Sequence, residues 1–326
     1  MDRRNFMGSG LAIAGGLASV APTFSQDRFP RQPLKLIVPF SPGGPTDVFG
    51  RRYAEQMGRV IGQQVVVENR AGAGGTVGAA AVANAAPDGY TMLFGTSSTH
   101  VTSPLMLSSP PYDPLNDFNL LVVGVVPLVV VVNPALQIQT LPELLDLIRK
   151  NPGKMTYGSS GPGSINHLGG VLMLKQAGGL DALHVPYKGT NLAQMAVMSR
   201  EVDFLLDTFG TVLNQHRADT LRILASCGER RSGVAPDIPT IAEAGVQGAS
   251  VTTINIVALP SKTPRPIMDE IIKATRTAMS APQLKATLTQ MGIDPVADSD
   301  LERSKAMFAD EISRWSPVVK ETGVRL

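Results

Sequence analysis

Two stretches of this chain combine residues able to hold a ligand. The first is Phe40-Ser41-Pro42-Gly43-Gly44-Pro45-Thr46-Asp47; the second is Gly158-Ser159-Ser160-Gly161-Pro162-Gly163-Ser164, followed by His167. A Pro/Gly turn that runs into a helix points several backbone N–H groups at one spot, beside the positive end of the helix dipole. That spot suits an anion such as a carboxylate or phosphate. Each stretch also reads as a plain βα turn, and most βα turns bind nothing.

Other groups suggest different chemistries. Ser160 stands where the Gly-x-Ser-x-Gly nucleophile elbow puts its serine, but Pro162 replaces the last glycine. His100, His167, His184 and His216 have no spacing that builds a triad or a metal set, so no catalytic residue, metal or cofactor is expected. Gly72 to Gly78 imitates a dinucleotide fingerprint, with its last glycine one place late and no acidic residue at the required distance. His167 either donates to a ligand oxygen or caps and packs its helix. Lys188 attracts an anion or merely stands on the surface. Asp207 ends an apolar run and either lines a cleft or caps the next helix.

The segments that must position these residues alternate in type. Leu34–Pro39 reads as a buried strand. Phe49, Tyr53, Met57 and Ile61 recur at helical spacing after it, with Gly44 at the cap and Pro45 in the first turn. Strands are expected at Val65–Glu68 and at Met92–Gly95, the latter ending in the polar run Thr96-Ser97-Ser98-Thr99. The β-branched run Leu121–Val132, broken by Gly124 and Pro127, reads as a strand passing between two domains. Thr140 and Glu143 form a capping-box pattern on a helix at Leu141–Lys150. Further strands are expected at Met155–Gly158, His184–Pro186, Val202–Leu206 and Arg222–Ser226. The tail reads as three helices, with no strand between the last two. This alternation argues an α/β fold with a mostly parallel sheet and helices on both faces. In such sheets ligands bind at the carboxyl ends of strands, where both glycine turns fall. Turns from two domains would face each other across a cleft and hold a small ligand by its negative end.

A chain of 326 residues exceeds the size at which one core stops growing, so two domains are expected. The net charge is +2 and no basic run is interleaved with aromatics, so nucleic-acid binding has no support. Cys227 is the single cysteine, which excludes an internal disulfide, and its apolar surroundings read as a buried small residue. Arg3-Arg4-Asn5-Phe6 followed by the apolar stretch Leu11–Ala21 and small residues before Gln26 has the layout of an export signal, twin-arginine-like. A chance arginine pair in an ordinary secretory signal fits as well. Residues 1–25 are therefore expected to be removed, leaving a soluble protein outside the cytoplasm, in the periplasm.

Motifs over nearly the whole remaining chain resemble the Bug-type substrate-binding proteins of tripartite tricarboxylate transporters. They are Leu-Ile-Val-Pro-Phe-Ser-Pro-Gly-Gly with Asp47, Val-Val-Glu-Asn-Arg-Ala-Gly-Ala-Gly-Gly at 66–75, Pro-Asp-Gly-Tyr-Thr at 87–91 and Pro-Tyr-Asp-Pro at 111–114. Tyr-Gly-Ser-Ser-Gly-Pro-Gly-Ser with His167, His-Val-Pro-Tyr-Lys-Gly at 184–189 and Pro-Asp-Ile-Pro-Thr-Ile-Ala-Glu-Ala-Gly at 236–245 continue the series. The resemblance implies a two-domain, periplasmic-binding-protein-like (Venus flytrap) fold: mixed sheets flanked by helices, with a helical C-terminal tail packing on the first domain. Residues 26–127 and 253–326 would form domain 1, and residues 128–252 domain 2. It implies a grip on a small mono-, di- or tricarboxylate, aromatic acids included, by Phe40, Pro42, Gly43, Gly44, Thr46 and Asp47 on one side. Ser159, Ser160, Gly163, Ser164 and His167 would face them, with Ser97 and Ser98 at the polar strand end; Asp207, from the reading of its own apolar run, is the further candidate for the cleft wall. The resemblance further implies hinge closure, action as a monomer without a cofactor, and hand-over to membrane subunits of the transporter. The chain departs from the family at Thr252-Thr253-Ile254-Asn255, where members often carry a tryptophan nearby. A ligand-presenting sensor component would share the same cleft, and an exported α/β hydrolase is the remaining alternative.

Overall fold

The computed structural model describes residues 29–322 and Arg325; the expected export signal lies outside the described residues. In β1 (Leu34–Val38) all residues but Lys35 are buried, as in a strand covered on both faces. Residues 39–44 break it, and α1 (Pro45–Ile61) begins with Pro45, whose missing N–H would have had no helical partner. Phe49, Tyr53 and Met57 form its buried face, Phe49 meeting Phe94 edge-on at 4.9 Å between ring centroids. Next come β2 (Val65–Asn69), α2 (Thr76–Ala83) and β3 (Thr91–Thr96), giving the parallel order β2-β1-β3. A π-helical turn (Ser98–Thr102) and α3 (Ser103–Met106) follow β3 directly.

The 15-residue β4 (Phe118–Val132) runs from one half of the molecule into the other. The second half then unfolds in the order α4 (Leu141–Lys150), β5 (Thr156–Ser159), α5 (Ile165–Gln176), β6 (Leu183–Pro186), α6 (Thr190–Met198), β7 (Phe204–Thr208), α7 (Phe209–Arg217) and β8 (Arg222–Ser226). The chain returns through β9 (Thr252–Pro260). Phe118–Pro127 of β4 pair with β9, whereas Leu128–Val132 pair with β7 and β8. The result is a two-domain α/β protein in which one strand belongs to both sheets.

β9 is not among the strands expected from the sequence, and it changes the sheet. It runs antiparallel to both β3 and β4, so the sheet is mixed rather than mostly parallel. It is buried on both faces after its first residue, which removes the alternation that marks a half-exposed strand. The tail has α8 (Arg265–Ser280), α9 (Pro282–Gln290), a two-residue β10 (Asp294–Pro295) and α10 (Leu301–Thr322). β10 corrects the expectation of no strand between the last helices; with only two residues it leaves no periodicity to read.

The tail covers the first domain. Tyr53 and Thr275 share a buried hydroxyl contact of 2.8 Å between α1 and α8. Phe308 of α10 packs against the His100 ring, and Ser304 Oγ accepts from Val122 N at 3.1 Å. Farther along α10, the Arg314 guanidinium donates to the Ser250 carbonyl on the return segment before β9. Cys227 is fully buried, its thiol pushed up to about 12 by burial.

Candidate ligand-binding cleft

Both glycine turns depend on backbone shapes that glycine supplies: Gly43 at φ +79°, Gly161 at +123° and Gly163 at +78°. The first turn is braced by Asp47, one turn into α1. Its carboxylate accepts from Gly43 N (2.9 Å), Arg51 Nε (2.9 Å) and Asn69 Nδ2 (2.8 Å). Burial works to raise this carboxyl, but the bonds from Arg51, Gly43 and Asn69 outweigh it and hold Asp47 below the usual range. Asn69 also donates to the Phe40 carbonyl at 3.0 Å, so one amide ties both ends of the turn.

The second turn is braced by neutral groups. Ser159 Oγ accepts from Gly161 N (3.1 Å) and lies 2.7 Å from His184 Nε2. Ser164 caps α5 by accepting from His167 N (3.3 Å), and Gly163 N donates to His167 Nδ1 (3.3 Å). The His167 and His184 rings stack at 3.7 Å, only 11° from parallel. Burial, reinforced by the neighbouring His184, lowers His167 to about 3, and burial lowers His184 to about 4, so both are neutral at pH 7.

The two turns come together on one cleft. Of the residues expected to hold ligand, Phe40, Gly44, Thr46, Ser98 and Ser160 line it. Pro42, Gly43, Asp47, Ser97, Ser159, Gly163, Ser164, His167 and Asp207 do not; where their contacts are resolved they support the walls from behind. Ser97 Oγ accepts from Ile254 N (2.9 Å), fixing β9 to the end of β3. Ser98 Oγ accepts the first N–H of α5, from Ile165, at 2.9 Å, which links the two domains beside the cleft. Asp207 is fully buried beneath the cleft-lining Thr208, whose N–H donates to it at 2.7 Å. Burial without a cation raises Asp207 to about 6, despite bonds from Gln194, Thr208 and Thr211 that work the other way.

Several lining residues were not singled out in the sequence. Gly189, Thr190 and Asn191 belong to a third turn of the same design: β6 ends at Pro186, Gly189 adopts φ +143°, and α6 begins. That strand–glycine–helix order was the available signal. Thr208 ends β7 and stands directly at the cap of α7, with no glycine turn between, and Thr253 enters from β9. Ser41, on the first turn, donates to the Lys188 carbonyl and so closes the cleft mouth with a bond between domains.

Four helices, α1, α5, α6 and α7, thus present their N-termini to one space. Among the described residues, none that lines the cleft has an ionisable side chain. Two lining atoms are buried without a hydrogen-bond partner, Thr253 Oγ1 and Asn191 Oδ1. Unsatisfied buried polar atoms are costly, and a water or another polar molecule in the cleft would satisfy them. Ser160 Oγ donates to Asn166 Oδ1 at 3.0 Å, a partner that cannot act as a base for it.

The profile described as "Tripartite tricarboxylate transporter family receptor" matches residues 49–324. The chain belongs to this family. Protein BugT of Bordetella pertussis (strain Tohama I) is 35% identical over 321 residues, covering 97% of this chain and 98% of that protein. Among solved structures of similar proteins, the periplasmic binding protein BugD superposes with a TM-score of 0.87 at 30% identity, covering 91% of this chain and 99% of that one. An R. palustris protein solved with adipate gives the same score, identity and coverage. Family receptors of this type are binding proteins rather than enzymes, and their fold is the periplasmic-binding-protein fold seen here. No helix among the described residues is long and apolar enough to cross a membrane.

Proposed function

We propose that this receptor captures a small organic carboxylate in the cleft between its domains, outside the cytoplasm, and delivers it to the membrane subunits of a tripartite transporter. The observation that carries the reading is the convergence of four helix N-termini on a space with no ionisable lining group. Oriented N–H groups and hydroxyls there would neutralise an anion without a cationic side chain. The adipate-bound relative supports the same ligand class. Residues 26–127 and 253–326 would move as one body and residues 128–252 as the other. The change of β4 partners after Pro127 supports a hinge there. Asp47, Ser159, Ser164 and His167 would act as positioning residues for the N–H groups that meet the carboxylate, and the protein would work as a monomer after removal of residues 1–25.

A thermal-shift and calorimetric screen of mono-, di- and tricarboxylates on the mature protein tests this. A ligand at about 100 times its Kd adds about 2.7 kcal/mol to native stability, a rise of roughly 4 °C in Tm for a chain of this size. Folded protein that responds to no acid in such a panel would overturn the reading.

A further inference from the structure

A second, narrow chamber adjoins the cleft, and the two share Pro45, Thr46, Thr208 and Thr253 as walls. Beyond those shared residues its wall is mostly apolar: Phe49 from α1, Val126 from β4, and Met291 and Ile293 from the segment between α9 and β10. Thr211 and Asn255 add neutral polar groups, and no ionisable side chain faces it among the described residues.

The ends of this double space differ in their demand for negative charge. In the cleft, α6 begins at Gly189 with no side-chain cap, so its first N–H groups are left to a ligand. Neither α5 nor α6 has an acidic residue in its first turn. At the second chamber the opposite holds. The two helices whose first residues open onto it each already have a carboxylate at the positive end: Asp47 lies in the first turn of α1, and Asp207 Oδ1 accepts the Thr208 N–H at the start of α7. A second anion placed there would face both these buried acids and an apolar wall, without a partner for its charge.

We infer that the ligand is an amphiphilic monocarboxylic acid, its carboxylate at the uncapped N-terminus of α6 and its apolar body in the chamber walled by Phe49, Val126, Met291 and Ile293. This rests on the reading above that the cleft captures an organic acid. The chamber then sets specificity: it accepts aliphatic or aromatic carbon and rejects a distal charge by leaving that charge unpaired.

Matched pairs test the inference by isothermal calorimetry on the mature wild-type protein at pH 7.5. Hexanoate and adipate have the same six carbons and differ in the second carboxylate; benzoate and terephthalate form the aromatic pair. The expected result is at least ten-fold tighter binding of the monoacid in one pair or both. Diacids binding as tightly as their partners, or more tightly, would overturn the inference while leaving acid capture intact. Binding of none of the four would overturn the inference and count against acid capture as well. Met291→Lys, checked for native circular dichroism, adds a cation to the chamber wall. It should move the preference toward the diacid by ten-fold or more, and an unmoved preference would place the body elsewhere.

Discussion

In the first domain the turn before α1 is braced by an ionised carboxylate, Asp47, whose bonds reach Gly43, Arg51 and Asn69. In the second domain the turn before α5 is braced by neutral groups, with Ser159, Ser164, His167 and His184 holding the glycines. Both braces stand behind the cleft wall, and both leave backbone and hydroxyl groups facing the ligand space. The difference shows that the shape of the wall, rather than the identity of the brace, is what the two turns have in common. The residues most suggestive of chemistry, Asp47 and His167, serve as scaffolding.

Acid breaks the symmetry first, because only one brace contains groups, the histidines, that titrate near neutral pH in the unfolded chain. His167 is held at about 3 and His184 at about 4, below their ordinary 6.5, so the unfolded chain takes up protons before the native one. Their contribution is full above pH 6.5 and is lost as pH falls toward 3 to 4. His100, lowered to about 3 by burial beside Tyr112, Phe118 and Phe308, behaves the same way in the first domain. Between pH 6.5 and 5, His100 and His167 each cost about 2 kcal/mol, with less from the more exposed His184. Asp207 has the opposite sign: raised to about 6, it returns about 1 kcal/mol as pH falls to 5. Urea unfolding at the two pH values should therefore show a net loss of about 3 kcal/mol, and His100→Phe should remove about 2 kcal/mol of the gross loss. Asp47, held below the usual carboxylate range, stays ionised through this interval.

Removing the first brace has the next largest effect. Asp47→Ala leaves the Gly43 N–H and the Asn69 amide without their acceptor and Arg51 without its counter-charge. A loss of about 2 kcal/mol in stability is expected, together with a fall of ten-fold or more in acid affinity by calorimetry. Ser159→Ala removes one neutral acceptor from the second brace and should cost about 1 kcal/mol. Arg51→Gln is the mildest change. The arginine side chain is half exposed, so its bond to Asp47 is screened and worth under about 1 kcal/mol. Equal effects of Asp47→Ala and Arg51→Gln would place the brace in the ion pair rather than in the bonds to Gly43 and Asn69.

Legibility in the sequence followed the local physics of each element. The turn before α1 was readable because Pro, Gly and the Phe49–Tyr53–Met57 spacing all signal one strand–turn–helix unit. The long β4 was readable as a shared strand from its β-branched run and the breaks at Gly124 and Pro127. β9 was not, because a strand buried on both faces shows no alternation and its partners lie over a hundred residues away, as in Leu121 with Val257. At the site, sequence pointed to the right turns but to both of their faces. Gly44 and Asp47 are three residues apart, yet one lines the cleft and the other turns inward to Asn69. Thr253 and Asn191 carry no local signature; only tertiary packing leaves their oxygens unpartnered beside the same space.

The central claim is that an anion is held here by helix N-termini and neutral donors, with no cation. The most direct measurement is a crystal structure of the mature protein grown with hexanoate. The account predicts carboxylate oxygens about 3 Å from first-turn N–H groups of α6 and from Ser160 Oγ. An acid bound to an arginine or lysine outside the cleft, with the cleft holding only water, would contradict it.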